Sequence, residues 1–321
     1  MEAITKRDRY RGAMVGVHAG DSLGAPYETW VAADILADFE RRGGLTAFDY
    51  VDPWGKHPEL CPEGRPTDDA DHNAVLAESL IATRGFDPVD FYRRLKRTVF
   101  EHVSPLWDGK IPASGQTTRD SLRPATYEES QARPFDPTKE IASNGSVMRC
   151  VALALLYESR GTVDYGVVER MAAVTHRHPQ AIEATRVCIR ILRALLDGES
   201  REHARGIAWF HHRGDAEIRS ILEDAPKMPR DPESWPGRGA AVLTLHVALW
   251  SLFTTDNFRD GITKAVSVGG DTDTYAAVAG GLLGAYYGIE GIPQDWQKVL
   301  IGRDKMIELA DGLYDLAHPA K

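Results

Sequence analysis

The chain has 321 residues, 43% hydrophobic and 26% charged, a balance outside the disordered regime and sufficient for a packed core. Its 47 acidic against 38 basic residues give a net charge of −9, which excludes a sequence-independent hold on nucleic-acid phosphate. Three cysteines, Cys61, Cys150 and Cys188, without CxxC spacing exclude a disulfide framework and a zinc ribbon.

Helical spacing and turn signals predict helices at 8–25, 31–42, 68–84, 88–104, 145–159, 163–175, 179–197, 199–212, 215–224, 238–253, 256–267, 274–287 and 302–317. Asp8 is the expected N-cap of the first, where Tyr10, Met14, Val17 and Leu23 fall near helical spacing. Gly43-Gly44 closes the second. The only alternation suggesting a strand is LTAFDYVD at 45–52. Pro- and Gly-rich loops are expected at 52–67, 104–144 and 225–238. The opening residues, MEAITKRDRYRGAM, hold no apolar run of the kind a signal peptide needs. The longest apolar stretch, 275–289, falls short of the roughly 20 residues of a membrane span. The expectation is a cytoplasmic, all-α protein without membrane attachment. The chemically promising segments run from Asp21 to Thr274, so one domain over residues 1–321 is expected.

Three acidic clusters stand out: Gly20-Asp21 to Glu28, Thr67-Asp68-Asp69 with Asp71, and Gly269-Gly270-Asp271-Thr272-Asp273-Thr274. Carboxylates and hydroxyls are the ligands of hard divalent cations such as Mg²⁺. Two clusters directly precede predicted helices, where acids are favoured by the helix dipole and where Asp and Thr also serve as N-caps. For Thr67-Asp68-Asp69, capping and metal binding stay open side by side. Asp271 to Thr274 supply more oxygen ligands than a cap uses, after two glycines that free the backbone. The small residues Ala276, Ala277, Gly280, Gly281 and Gly284 then let the following helix approach a neighbour closely. An EF-hand is excluded, since loop position 6 is Ala276 and position 12 is Leu282.

In order along nearly the whole chain, GxxxGDSLGAPYE (16–28), PTDD (66–69), SGQTTRDSL (114–122), SNGSVMR (143–149), THRHP (175–179), GGDTDTYAAVAGGLLGAYYG (269–288) and IPQDW (292–296) resemble the motifs of the ADP-ribosylglycohydrolase family. The resemblance implies an all-α fold with two Mg²⁺ ions, or Mn²⁺, in a central cleft. It implies Thr67, Asp68, Asp69, Asp271, Asp273 and Thr274 as metal ligands, with Glu28 and Asp273 as the catalytic acid and base in undivided roles. Asp21, Ser114, Gly115, Gln116, Thr117, Asn144, Gly145, Ser146, His176 and Gly270 become the expected substrate contacts. Taken without the resemblance, Asn144-Gly145 reads as a turn and His176 as a structural histidine.

The sequence departs from the family pattern where Ala70-Asp71 follows TDD, and Asp71 is read as a first-turn helix acid. Segments 45–66 and 123–141 match no family motif and are the expected seat of acceptor specificity. The implied reaction is metal-dependent hydrolysis of the glycosidic bond between ADP-ribose and an acceptor, arginine favoured over serine. The expected partner is an ADP-ribose-bearing protein or small molecule, with no nucleic acid, and the expected state is a monomer. Two rivals are a non-catalytic ADP-ribose-binding or structural relative and a two-metal hydrolase of another ADP-ribose conjugate. The complete set of acids argues against the first.

Overall fold

Glycine recurs at every fourth residue of the first helix, at Gly12, Gly16, Gly20 and Gly24, and this stripe decides how the chain packs. The structure, a computed structural model, describes residues 4–45, 63–108, 114–156, 164–212, 214–229 and 239–319. Among these there are sixteen α-helices and no strand beyond two isolated bridges, Val31 with Gly269 and Ser143 with Ala240. The helices are α1 (Lys6–Gly24), α2 (Ala32–Arg42), α3 (Asp68–Thr83), α4 (Pro88–Glu101), α5 (Gln116–Leu122), α6 (Tyr127–Gln131), α7 (Val151–Leu156) and α8 (Tyr165–Ala173). They continue as α9 (Pro179–Leu196), α10 (Arg201–His211), α11 (Ala216–Asp224), α12 (Ala241–Thr254), α13 (Phe258–Val266), α14 (Thr272–Tyr287), α15 (Gln294–Val299) and α16 (Arg303–Ala317).

The α1 stripe lies directly on the backbone of α14, antiparallel to it. A Cβ on Gly12 would stand 2.3 Å from the Gly284 carbonyl oxygen, one on Gly16 2.2 Å from that of Gly280, and one on Gly20 1.9 Å from that of Ala276. At Gly24 it would stand 2.3 Å from the Thr272 oxygen. No side chain fits there, so only glycine allows this contact. Both helices are consequently buried on every side over most of their length, α1 from Gly12 to Gly24 and α14 from Thr272 to Ala285. Tyr10, Met14, Val17 and Leu23 are buried in α1, in line with their spacing, but so is every residue from Gly12 to Gly24, which makes α1 a central helix rather than an amphipathic one. Its expected cap is corrected. Thr5 is the N-cap and accepts from the Asp8 N–H, while Asp8 closes a capping box from the third helical position.

The other helices surround this pair. α16 packs on α1 with Arg11 bridging to Asp311 at 2.8 Å, and α12 and α13 cover α14. α9 is buried along nearly its whole length and meets α7, α8, α10, α12 and α14. The expected loop at 104–144 contains α5 and α6, two short helices; Thr126 caps α6 by accepting from the Glu129 N–H at 3.2 Å. The expected helix at 145–159 opens as a 3₁₀ turn, Asn144–Ser146, and becomes α-helical only at Val151. α15 forms where no helix is predicted. Residues 46–52 of the expected strand, residues 52–62 and 230–238 of the expected loops, and Cys61 lie outside the described residues. No helix among the described residues is long and apolar enough to cross a membrane.

A methyl at Gly16 must push two helix backbones apart, whereas Gly206, exposed in α10, has open space around it. Gly16→Ala is therefore expected to destabilise by about 1–3 kcal/mol or more. Gly206→Ala is expected to stabilise by about 0.4–1 kcal/mol, both read from urea unfolding midpoints. Equal effects at the two positions would show that the α1–α14 contact is not tight.

Candidate metal centre

The α1–α14 contact brings the C-terminal end of one helix beside the N-terminal end of the other, and acids stand at both. Gly269 and Gly270, at φ 77° and 82°, turn the chain from α13 into α14. Gly270 donates its N–H to the Trp30 carbonyl at 2.9 Å and accepts from the Thr29 N–H at 2.7 Å. These two bonds pin residues 29–31 against the start of α14. The Glu28 carboxyl thereby reaches Asp271 and Asp273, although the residue as a whole is exposed. Thr29, β-branched, is held at φ 72°, a left-handed conformation that such residues avoid, so strain sits next to Glu28.

The opposite wall is held from α1. His18, Asp21 and Ser22 lie three and four residues apart on one helix face, and Asp21 and Ser22 grip the segment that leads into α3. Ser22 donates its hydroxyl to the Arg65 carbonyl at 2.8 Å. His18 is fully buried beside the Gly64 backbone, and burial lowers its imidazole to about 4, so it is neutral. Asp21 accepts from the Thr67 N–H at 2.8 Å, the Ala70 N–H at 3.1 Å and the Thr67 hydroxyl. The N-terminus of α3 is thus capped by an acid from another helix. Thr67 makes no side-chain capping bond to α3, and Asp271 makes none to α14. Capping by these two residues does not account for the clusters.

Two carboxylate triads result. Oxygens of Asp21, Asp69 and Asp273 lie within 4.8 Å of one another, as do those of Glu28, Asp271 and Asp273, so Asp273 belongs to both. Burial, then mutual repulsion, pushes Asp68 and Glu28 up to about 7. Burial pushes Asp21 up to about 6 against the bonds from Thr67 and Ala70. Asp69 and Asp273 are driven well above the usual carboxylate range, first by burial and then by their neighbours' charges. Asp69 Oδ1 is buried without a hydrogen-bond partner. Crowded, hard oxygen donors with an orphaned lone pair suit a divalent cation of the Mg²⁺ or Mn²⁺ type.

Of the expected ligands, the structure gathers Asp69, Asp271 and Asp273 with Asp21 and Glu28. Asp68 stands half-buried beside the triads, outside both. The Thr67 hydroxyl turns to Asp21 and lies 3.4 Å from Asp69, and Thr274 offers its N–H to Asp273 at 2.8 Å. Asp21, an expected substrate contact, has no exposed surface and sits behind the Thr67 loop. Asn144 spends its side-chain amide on Asp271 Oδ2 at 2.6 Å and the Thr244 hydroxyl at 2.9 Å, orienting Asp271. Ser146 is fully buried and accepts from the Thr185 hydroxyl of α9.

The Cε1–Nε2 side of the His176 ring abuts Gly145, where a Cβ would stand 2.4 Å from Cε1 and 2.7 Å from Nε2. Ser114 pairs with His72 Nε2 at 3.2 Å, and Gly115 and Gln116 are exposed. The Thr117 hydroxyl accepts from Ser143 at 3.1 Å, joining the 114–117 loop to the Asn144 turn. Asp71 is a first-turn acid of α3, as expected. It is buried and accepts from the Ser104 hydroxyl, which in turn receives the N–H groups of Leu106 and Trp107. Sequence reasoning missed the buried His18 and the supports Ser22 and His72. The three-and-four spacing of His18, Asp21 and Ser22 is the signal that marks the first two.

Raised carboxyls bind protons more tightly folded than unfolded, so they lower stability as pH rises from about 4 through 7. A cation that holds them charged removes this penalty. Mg²⁺ or Mn²⁺ is expected to raise the melting temperature more at pH 8 than at pH 5, read by thermal shift. Equal shifts at both pH values would place the cation elsewhere.

The sequence profile of the ADP-ribosylglycohydrolase family matches residues 2–321. The chain is 28% identical over 312 residues to the ADP-ribosylarginine hydrolase Tri1 of Serratia proteamaculans, covering 97% of this chain and 80% of that one. It is 27% identical over 297 residues to the ADP-ribosyl-[dinitrogen reductase] glycohydrolase of Rhodospirillum rubrum, covering 92% and 91%. The human ADP-ribosylhydrolase ARH3 is 24% identical over 350 residues, covering 97% and 94%. A solved ADP-ribosylglycohydrolase-related protein complex superposes with a TM-score of 0.74 at 32% identity, covering 97% of this chain and 99% of that one. With the all-α fold and the acid cluster already in place, the chain belongs to the ADP-ribosylglycohydrolase family and is a glycohydrolase.

Proposed function

We propose that the protein hydrolyses the bond between ADP-ribose and an arginine side chain, with two Mg²⁺ or Mn²⁺ ions held by its acidic ring. The observation that carries the chemistry is the pair of carboxylate triads sharing Asp273. Arginine as acceptor is supported by the names of relatives that match over nearly the whole chain, ADP-ribosylarginine hydrolases at 28% and 27% identity. A single domain spanning 1–321 fits the pairing of α1 with α14, whose ends both contribute acids.

Asp69, Asp271 and Asp273, with the hydroxyls of Thr67 and Thr274 and with Asp68 beside them, form the ligand set. When bound, the metals supply charge to grip ribose hydroxyls and to activate a water. Asp21 belongs behind this set as a positioning residue, since it fastens Thr67 and Ala70. Asn144 does the same for Asp271. In the reaction, water oxygen bonds to the anomeric carbon of the distal ribose while the bond to the arginine nitrogen breaks. The leaving nitrogen takes up a proton, giving free ADP-ribose and arginine; bonds of this kind break with oxocarbenium character. Glu28, whose carboxyl sits near 7 and reaches the shared Asp273, is placed to take or return that proton at neutral pH. The Gly115–Thr117 and Asn144–Gly145 backbones and His176 flank the ring and are the candidate hold on ADP-ribose.

ADP-ribosylarginine is expected to be turned over with Mg²⁺ or Mn²⁺, faster than ADP-ribosylserine. Glu28→Gln is expected to lower kcat by about 10²–10⁴-fold while a metal-induced thermal shift remains. Asp273→Asn is expected to lose both. Faster release from serine would move the assignment of acceptor. No release from either substrate, despite ADP-ribose binding, would mark a non-catalytic relative.

A further inference from the structure

Beneath the Asn144 turn lies a charge that the chemistry above does not use. Arg149 is fully buried, and among the described residues no carboxylate stands within ion-pair distance of it. Its Nη2 donates to the carbonyls of Met171 at 3.3 Å and Ala172 at 3.4 Å, in the last turn of α8, and its guanidinium lies over the Phe91 ring at 5.4 Å. Nε and Nη1 have no hydrogen-bond partner. A buried, unpaired cation is expensive, and apolar replacements of buried charges are often neutral or stabilising. A residue with only a packing role has no reason to carry it.

The surroundings give it a task. The Ala172 carbonyl that receives Arg149 also receives the His176 N–H at 2.8 Å, so the guanidinium holds the chain where it leaves α8 toward His176. His176 Nδ1 pairs with the Thr175 hydroxyl at 2.7 Å, and its ring rests on Gly145, four residues before Arg149 in the same turn. Arg149 therefore ties both sides of the Gly145–His176 contact, one through the main chain that it ends and the other through the carbonyls it grips. Its charge also reaches the two nearby imidazoles. After burial, the repulsion of Arg149 helps to lower His176 and to bring His72, the partner of Ser114, down to about 3. Both stay neutral at physiological pH, each paired with a neighbouring hydroxyl.

We propose that Arg149 is a positioning residue of the ADP-ribose pocket: a buried guanidinium kept at a cost in stability because it fixes His176 against Gly145. The inference rests on the reading that His176 and the Asn144 turn hold ADP-ribose. Arg149 is fully buried and bonds to main-chain carbonyls rather than to the triad acids, so its proposed effect is on binding rather than on bond cleavage.

The test compares wild type, Arg149→Met and Arg149→Lys as Mg²⁺-loaded full chains, reading melting temperature, KM and kcat on ADP-ribosylarginine, and Kd for free ADP-ribose. The Met variant is expected to melt at or above wild type, with KM and Kd raised about tenfold and kcat within about twofold. Lys, which restores the cation and one carbonyl bond, is expected to recover part of the lost affinity. A Met variant whose melting temperature falls while KM and Kd stay at wild-type values overturns the proposal. If the Met variant does not fold, Arg149→Lys decides, because a purely structural cation leaves both constants unchanged at any melting temperature. A wild type that binds ADP-ribose without turnover keeps the Kd comparison decisive for Arg149 while refuting the catalytic reading. A wild type that does not bind ADP-ribose refutes both.

Discussion

Backbone contact between two helices separated by some 250 residues of chain is the constraint from which the site follows. Four glycines of α1 meet the main chain of α14 at Gly284, Gly280, Ala276 and Thr272, at distances that admit no side chain. With this register set, Asp21 and Glu28 cannot avoid Asp271 and Asp273. The close approach carries a conformational cost, since glycine loses more freedom in a helix than any other residue. Burial of both helices on all sides offsets that cost, and the acids are gathered without any ligand present. Such preorganisation is what a metal site needs, because ligands that must be collected from a mobile state bind more weakly.

The ring is held by supports with no contact to the reaction. Asp21 caps α3 from α1, Ser22 fixes the segment before it, Asn144 orients Asp271, and two backbone bonds lock Thr29 and Trp30 to Gly270. The bonds to Asp21 and Asp271 are charge-assisted and largely buried, where a lost partner costs most. The acids themselves are destabilised by one another, and the fold tolerates this because the same crowding draws in a cation. Strain at Thr29 fits the same pattern: the least comfortable backbone lies beside the carboxyl assigned to proton transfer.

Much of this was legible in the residues, for identifiable reasons. GGDTDT announces itself because four oxygen-bearing side chains after two glycines exceed the needs of a helix cap, whereas PTDD taken alone leaves capping and metal binding open. The all-α class follows from the scarcity of alternation. The central placement of α1 was not legible from hydrophobic spacing, because a helix buried on every face has no apolar stripe; the four-residue glycine period was the signal instead. α5 and α6, seven and five residues long, fall below the length at which periodicity speaks. Asp21 and Ser146 were read as substrate contacts from motif position alone. Burial behind Thr67 and against α9 is a tertiary fact that no local pattern encodes.

The central claim is that acids from the two ends of the chain share divalent cations around Asp273. Anomalous diffraction from crystals soaked in Mn²⁺ reads it directly. The account predicts manganese density against Asp273, flanked by Asp69 on one side and Asp271 on the other. Manganese bound elsewhere, with these carboxylates free of anomalous signal at pH 8, would contradict it.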